Sequence, residues 1–241
     1  MEMKKVGYIP DRGTYNTVIG AYGRCGSVKL ALKTYSQMLK AGFCPNLSTY
    51  NALLNALARK GQWKEAEAVL ADMKDGGYKP NENAYASLLH VYGNGNCIVQ
   101  LKALVKDIYL EVIYPSWILL KALVLVFSKC NFLQETENAF TELKRRGFSP
   151  DLVTYNTMIG IYGKHGCIDQ ALDMLNNMKQ NGWKLDLFTY NSLISMYSRE
   201  GNCRKSEAIL RDMEVVGEKP NIMSYSIVIK AYSKQGLLQD A

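Results

Sequence analysis

The chain has 241 residues, 48% of them apolar and only six of them proline, which leaves room for a core and argues against disorder. Lys and Arg number 29 against 22 Asp and Glu, a net charge of +7 that suits a polyanionic partner without requiring one. The most apolar run, residues 117–127, contains Lys121 and is too short to span a bilayer, so no membrane segment is expected.

From the N-terminus, MEMKKVGYIPD carries neither a signal nor a transit sequence and reads as the end of a repeat. The prolines stand at 10, 45, 80, 115, 150 and 220, a step of thirty-five that only Leu185 interrupts. A fixed period of this length marks a solenoid. Counting from the second residue after each proline gives repeats 12–46, 47–81, 82–116, 117–151, 152–186 and 187–221. Residues 1–11 end an earlier repeat, and 222–241 begin another.

Each repeat opens with apolar residues at helical spacing, such as Tyr15, Val18, Ile19 and Tyr22, or Tyr155, Met158, Ile159 and Tyr162. Gly26, Gly61, Gly166, Gly201 and Gly236 stop this first helix, with Asn96 and Asn131 in their place elsewhere. A second stripe follows, for example Ile168, Ala171, Leu172, Leu175 and Met178. It ends at Gly42, Gly77, Gly147, Gly182 or Gly217, with Val112 the exception. The result is a helical hairpin, about three turns in its first helix and four in its second.

One hairpin cannot bury its own apolar faces, but stacked copies can. The expected fold is therefore all-α, a right-handed α-solenoid running over residues 1–241. Ala31, Ala66, Ala171, Ser206 and Ala241 are small enough to let paired helices approach closely. Both chain ends fall inside a repeat, and neither looks like a polar cap, so a segment of a longer array is expected. Cys25, Cys97, Cys130 and Cys167 follow the period and read as reduced, half-buried packing residues. With no C-x-x-C pair and only two histidines, no metal and no cofactor is expected. No nucleophile–base pair or phosphate loop stands out, and the chain reads as a non-enzyme.

The segments T-Y-N-T-M/V-I-G-x-Y-G, the K/R-x-G turn, A-L-x-x-L/Y and M-K/L-x-x-G-x-x-P-D/N resemble the pentatricopeptide repeat. The uniform thirty-five-residue length is similar to the P class of that family, found mostly in plant chloroplasts and mitochondria. The resemblance implies sequence-preferring binding of single-stranded RNA, one base per repeat, read by the fifth and last residues. The second residue of each repeat then packs on the base.

Carried onto this chain, the fifth residues are Asn16, Asn51, Ala86, Lys121, Asn156, Asn191 and Ser226. The last residues are Asn46, Asn81, Ser116, Asp151, Asp186 and Asn221, with Asp11 left from the repeat before. The stacking residues are Gly13, Ser48, Asn83, Ile118, Val153, Phe188 and Met223. The family's usual combinations imply 5′-Y-Y-N-N-U-Y-R-3′. Asn with Asn favours cytosine above uracil, Asn156 with Asp186 favours uracil, Ser226 favours a purine, and Ala86 and Lys121 have no assignment.

Two structural readings stand beside these. Asp, Asn or Ser between a turn proline and a helix is an ordinary N-cap, which accounts for the last residues without RNA. It does not account for asparagine one turn into the helix, where its propensity is poor. Near the end of each first helix lies Arg24, Arg59, Lys129, Lys164, Arg199 or Lys234, with Asn94 the neutral exception. Cations there complement the helix dipole, and a row of them also suits phosphates. The third and fourth repeats depart most from the pattern, and a spacer or a protein contact through the helix at 117–127 is expected there. A protein-binding scaffold, or an array attached to a nuclease domain, are the rival readings of the chain.

Overall fold

The computed structural model describes residues 10–111 and 114–234, and these form thirteen α-helices without a strand. The first repeat supplies α1 (Arg12–Arg24) and α2 (Val28–Lys40), and the second α3 (Leu47–Ala58) and α4 (Trp63–Asp75). The third supplies α5 (Glu82–Asn94) and α6 (Ile98–Glu111), and the fourth α7 (Trp117–Lys129) and α8 (Leu133–Arg145). Then come α9 (Leu152–His165) and α10 (Ile168–Gln180), α11 (Leu187–Arg199) and α12 (Cys203–Val215), and finally α13 (Ile222–Lys234). First and second helices are almost equally long, 13 residues in both α1 and α2, rather than three turns against four. The expectations placed on Val112, Gly236, Ala241 and the Lys234 side chain lie outside the described residues.

Helix starts follow from local chemistry. Asp11, Asn46, Asn81, Asp151 and Asp186 are N-caps in extended backbone, each accepting the N–H three residues on. Helix ends follow from the left-handed turn. Gly166 has φ 73°, and Asn131 and Asn96 adopt the same region at 63° and 54°. The turn returns the chain onto the helix it has left, as Cys167 N–H donates to Tyr162 O at 3.0 Å and Cys97 N–H to Tyr92 O at 2.9 Å.

The described residues divide into two compact parts, one ending at Cys130 and one starting at Asn131, so the division falls between the two helices of the fourth repeat. In the first part α1, α3, α5 and α7 pack in succession, with α2 and α4 behind them against the next first helix. In the second, α9, α11 and α13 do the same, with α10 and α12 behind. One layer of each part is thus made of first helices, the ones that carry the second and fifth residues.

Ile19, Leu53, Leu54, Leu88 and Leu89 are fully buried between these layers. Each contributes about 1.5–3 kcal/mol by leaving water. Ala31, Ala66, Ala171 and Ser206 are also fully buried, where a larger side chain would separate the hairpin. The third and fourth repeats hold Leu101 and Thr136 at this position instead. The apolar helix α7 is spent on the interior: Leu119, Leu120, Leu123, Val124, Val126 and Phe127 are buried, and Ile118 is exposed. A helix apolar on every side is a core helix, which leaves little of it for a partner. The third repeat exposes Val99, Tyr109 and Leu110 on α6 and Tyr114 after it. Cys97, Cys130 and Cys167 are half-buried as expected, Cys25 is exposed, and the six cysteines are free. No described helix is long and apolar enough to cross a membrane.

Candidate nucleic-acid interface

On each first helix the second and fifth residues are three apart, so their side chains lie on one face. The apolar second residues are exposed there, Val153 by 49%, Phe188 by 58%, Ile118 by 53% and Met223 by 60%. Gly13, Ser48 and Asn83 are exposed as well. A fold that buries most of its large apolar side chains therefore leaves these in water, one turn below the fifth residues.

In the first and fifth repeats the fifth residue meets the last residue of its own repeat. Asn156 Nδ2 donates to both carboxylate oxygens of Asp186, at 3.0 and 3.1 Å, and Asn16 Nδ2 donates to Asn46 Oδ1 at 3.4 Å. Residues thirty positions apart thus form one polar pair beside an exposed stacking residue. Capping and pairing coexist on the same atoms. Asp186 accepts from Thr189 N–H at 2.9 Å while it holds Asn156, and Asn46 accepts from Thr49 N–H at 3.0 Å. Burial pushes the Asp186 carboxyl up, but hydrogen bonds from the Thr189 N–H, the Thr189 hydroxyl and Asn156 outweigh it and hold the group below the usual carboxylate range. Asp186 is therefore an anion and an acceptor only. Asp11, capped by the hydroxyl and N–H of Thr14, is lowered too.

Behind each pair stands a residue that the sequence did not mark. The hydroxyl of Thr49 donates to Asn16 Oδ1 at 2.6 Å, that of Thr189 to Asn156 Oδ1 at 2.6 Å, and that of Ser224 to Asn191 Oδ1 at 2.7 Å. These are the third residues of the following repeats, and their types are those of an ordinary helix start. Asn51 has Ala84 at the matching place, and its Oδ1 is buried without a hydrogen-bond partner.

The cations near the helix ends are exposed but not idle. Arg59 Nη1 donates to Arg24 O at 2.8 Å and Arg199 Nη1 to Lys164 O at 3.3 Å. Asn94, the neutral exception, donates to Ala58 O at 2.6 Å and accepts from the Lys129 ammonium. At 59, 94, 129 and 199 this position ties the end of a first helix to its predecessor, and an arginine there has further N–H groups to offer.

In the first part these features converge. A pocket of about 340 Å³ between α1 and α3 is lined by Ser48, Asn51, Arg24 and Arg59, together with Gly20 and Asn55. Asn55 was not marked by the sequence, although its spacing of one turn beyond Asn51 puts it on the same face. The off-pattern repeats look different. Ala86 is buried, and Ser116 makes no side-chain cap while its N–H donates to Glu82 at 3.0 Å. The Lys121 ammonium lies 5.6 Å from the centre of the Trp117 ring. Ser226 turns its hydroxyl back to Ile222 O at 2.6 Å, and Asn221 accepts from Ser224 N–H at 3.0 Å.

A family profile described as the PPR repeat family matches residues 10–59, 45–94, 150–196 and 185–234, and one described as the pentatricopeptide repeat domain matches 113–165. Among curated proteins no sequence match is found. The crystal structure of the pentatricopeptide repeat protein PPR10 in complex with an 18-nt psaJ RNA element is 41% identical with a TM-score of 0.91, over 99% of this chain and 35% of that one. The structure of PPR10 from maize gives 41% identity and a TM-score of 0.89, over 99% and 34%. This chain thus spans about a third of the length of PPR10. The PPR domain of Arabidopsis thaliana protein-only RNase P 1, in complex with tRNA, is 13% identical with a TM-score of 0.60 over 74% of this chain and 94% of that one, a likeness of fold alone. The profile matches cover most of the sequence, and an all-α repeat fold agrees with them: the chain belongs to the pentatricopeptide repeat family.

Proposed function

We propose that this chain binds single-stranded RNA in a sequence-preferring way, one base to a repeat, without catalysis of its own. The observation that carries the reading is the pairing of Asn156 with Asp186 beside the exposed Val153. A base lying on Val153 presents its pairing edge to an amide and a carboxylate. Packing of a base on an aliphatic side chain buries apolar surface and accepts any base, since every base has an apolar face. Discrimination comes from the polar pair. A carboxylate only accepts, so it favours the N3–H of uracil over the N3 lone pair of cytosine. With Asn46 in that place, an amide can donate to cytosine. The reading follows as 5′-Y-Y-N-N-U-Y-R-3′, with the repeats containing Ala86 and Lys121 tolerant of any base.

That PPR10 has been crystallised with an RNA element supports the same reading for a chain 41% identical to it. Binding of this kind would serve RNA processing, stability or translation in a chloroplast or mitochondrion, by covering one stretch of RNA and leaving its flanks open. A protein contact in the third repeat is a second reading, favoured by Val99 and Leu110 on α6, exposed by 79% and 71%.

The test is a titration with single-stranded oligonucleotides that vary one base at a time. Replacing Asn156 with Thr, beside the retained Asp186, should move the preferred base at the fifth position from uracil to guanine and leave the other positions alone. An unchanged preference at that position removes the assignment. Failure to bind any single strand at moderate salt removes RNA as the ligand and leaves the protein-binding scaffold.

A further inference from the structure

The first and second repeats carry the same reading pair, Asn16 with Asn46 and Asn51 with Asn81, yet the two amides are not held alike. Asn16 gives its oxygen to the Thr49 hydroxyl at 2.6 Å and its nitrogen to Asn46 at 3.4 Å. Asn46 Oδ1 already accepts the Thr49 N–H and so faces Asn16 as an acceptor. The Thr49 hydroxyl accepts the Asn46 N–H at 3.1 Å, and its one proton goes to the Asn16 oxygen. Oxygen towards Thr49 and –NH2 towards Asn46 is therefore the orientation that satisfies every group. Asn51 has Ala84 at the matching position of the next repeat, and its oxygen is buried with no hydrogen-bond partner. Turning the amide over would bury an –NH2 in the same place, and alanine has no group there to accept from it, so neither orientation is held by a hydrogen bond.

The pattern repeats in the second part of the molecule. Asn156 Oδ1 is held by Thr189 at 2.6 Å and Asn191 Oδ1 by Ser224 at 2.7 Å. Where the fifth residue is the apolar Ala86, the corresponding third residue is the buried Leu119. Three of the four fifth-position asparagines thus have a hydroxyl behind them, and Asn51 with Ala84 is the one that has none; behind Lys121 stands Thr154, whose hydroxyl goes to Asp151.

We infer that the third residue of the following repeat is a specificity-determining residue, which fixes the amide that reads the base. Thr49, Thr189 and Ser224 present the –NH2 edge of Asn16, Asn156 and Asn191 to the groove. Ala84 leaves Asn51 free to present either edge, donor or acceptor. The second repeat therefore accepts bases more broadly than the first, although their fifth and last residues are identical. Thr49 does not touch the base in this scheme; it acts through Asn16 as a positioning residue. The inference rests on the RNA reading above.

The experiment uses the whole chain and single-stranded RNA varied at the first and second base positions. In the unaltered chain the ratio of cytosine to adenine affinity should be about two- to tenfold larger at the first position than at the second, the worth of one hydrogen bond. Ala84→Thr should raise the ratio at the second position by that factor, and Thr49→Val should lower it at the first. Thr49→Ser keeps the hydroxyl and should keep the ratio. Thr49→Val also removes a bond at the helix start, but loss of stability weakens all oligonucleotides together and leaves the ratio unmoved. Equal ratios at both positions, or no response to Ala84→Thr and Thr49→Val, overturn the inference while the RNA reading stands. If no single strand binds, the RNA reading itself fails and the inference falls with it.

Discussion

Asp186 separates two roles that its position combines, and substitution there tells them apart. Its carboxylate caps α11 through the Thr189 N–H at 2.9 Å and pairs with Asn156 at 3.0 and 3.1 Å. Asn is as good an N-cap as Asp, so Asp186→Asn should leave stability within about 0.5 kcal/mol, whereas Asp186→Ala should cost about 0.5–2 kcal/mol. The reading role responds differently. A hydrogen bond to a charged group contributes about 1.5–3 kcal/mol and one between neutral groups about 0.5–1.5 kcal/mol. Losing the carboxylate should therefore cost uracil about 1 kcal/mol, roughly a fivefold fall in the ratio of uracil to cytosine affinity at that base. Removing a negative charge also tightens binding to every RNA, which is why the ratio rather than the affinity is the readout. The assay pairs thermal unfolding with competition titrations of two oligonucleotides differing at the fifth base. If Asp186→Asn leaves both stability and the ratio unchanged, Asp186 is a cap and nothing more, and the pairing argument is wrong.

Arg59→Gln keeps a donor for Arg24 O, as Asn94 does for Ala58 O one repeat on, but removes the charge. Stability should change by less than about 0.5 kcal/mol, while RNA affinity falls evenly across sequences and the slope of log affinity against log salt loses about 0.7; an unchanged slope would leave Arg59 as a tie to the Arg24 carbonyl alone. Burial, with the Lys129 ammonium adding to it, holds the His90 imidazole below its usual range. A lowered basic pKa means that the unfolded chain takes up the proton more readily, so stability is intact above about pH 6.5 and declines as pH falls through that value. The melting temperature should drop between pH 7.5 and pH 5.5, and His90→Gln should flatten that drop; parallel profiles would refute the assignment.

The fold was legible because its signals are local. Prolines, left-handed glycines and N-cap residues act within a few positions of themselves, and the asparagines that replace glycine at 96 and 131 are the residues next best suited to a positive φ. The reading pairs were legible only through a resemblance, since nothing in the spacing of Asn156 and Asp186 reveals that stacking brings them together. Thr49, Thr189 and Ser224 were hidden for a related reason. Each is an ordinary residue for the first turn of a helix, and its bond to an asparagine 33 positions earlier exists only once repeats stack. The helix-end cations were readable as charges but not as ties between repeats. The helix at 117–127 was misplaced as a contact surface because apolar content alone does not separate a core helix from a docking one; burial on several faces does.

The central claim is that this chain reads single-stranded RNA through paired fifth and last residues. It is tested most directly by titrating the chain with 5′-CCAAUCG-3′, with the same strand carrying adenine for uracil, and with the duplex of the first strand. Binding should be tightest to the first strand, fall severalfold on changing its one uracil, and be much weaker to the duplex. Equal affinity for all three, or no binding at moderate salt, would contradict it.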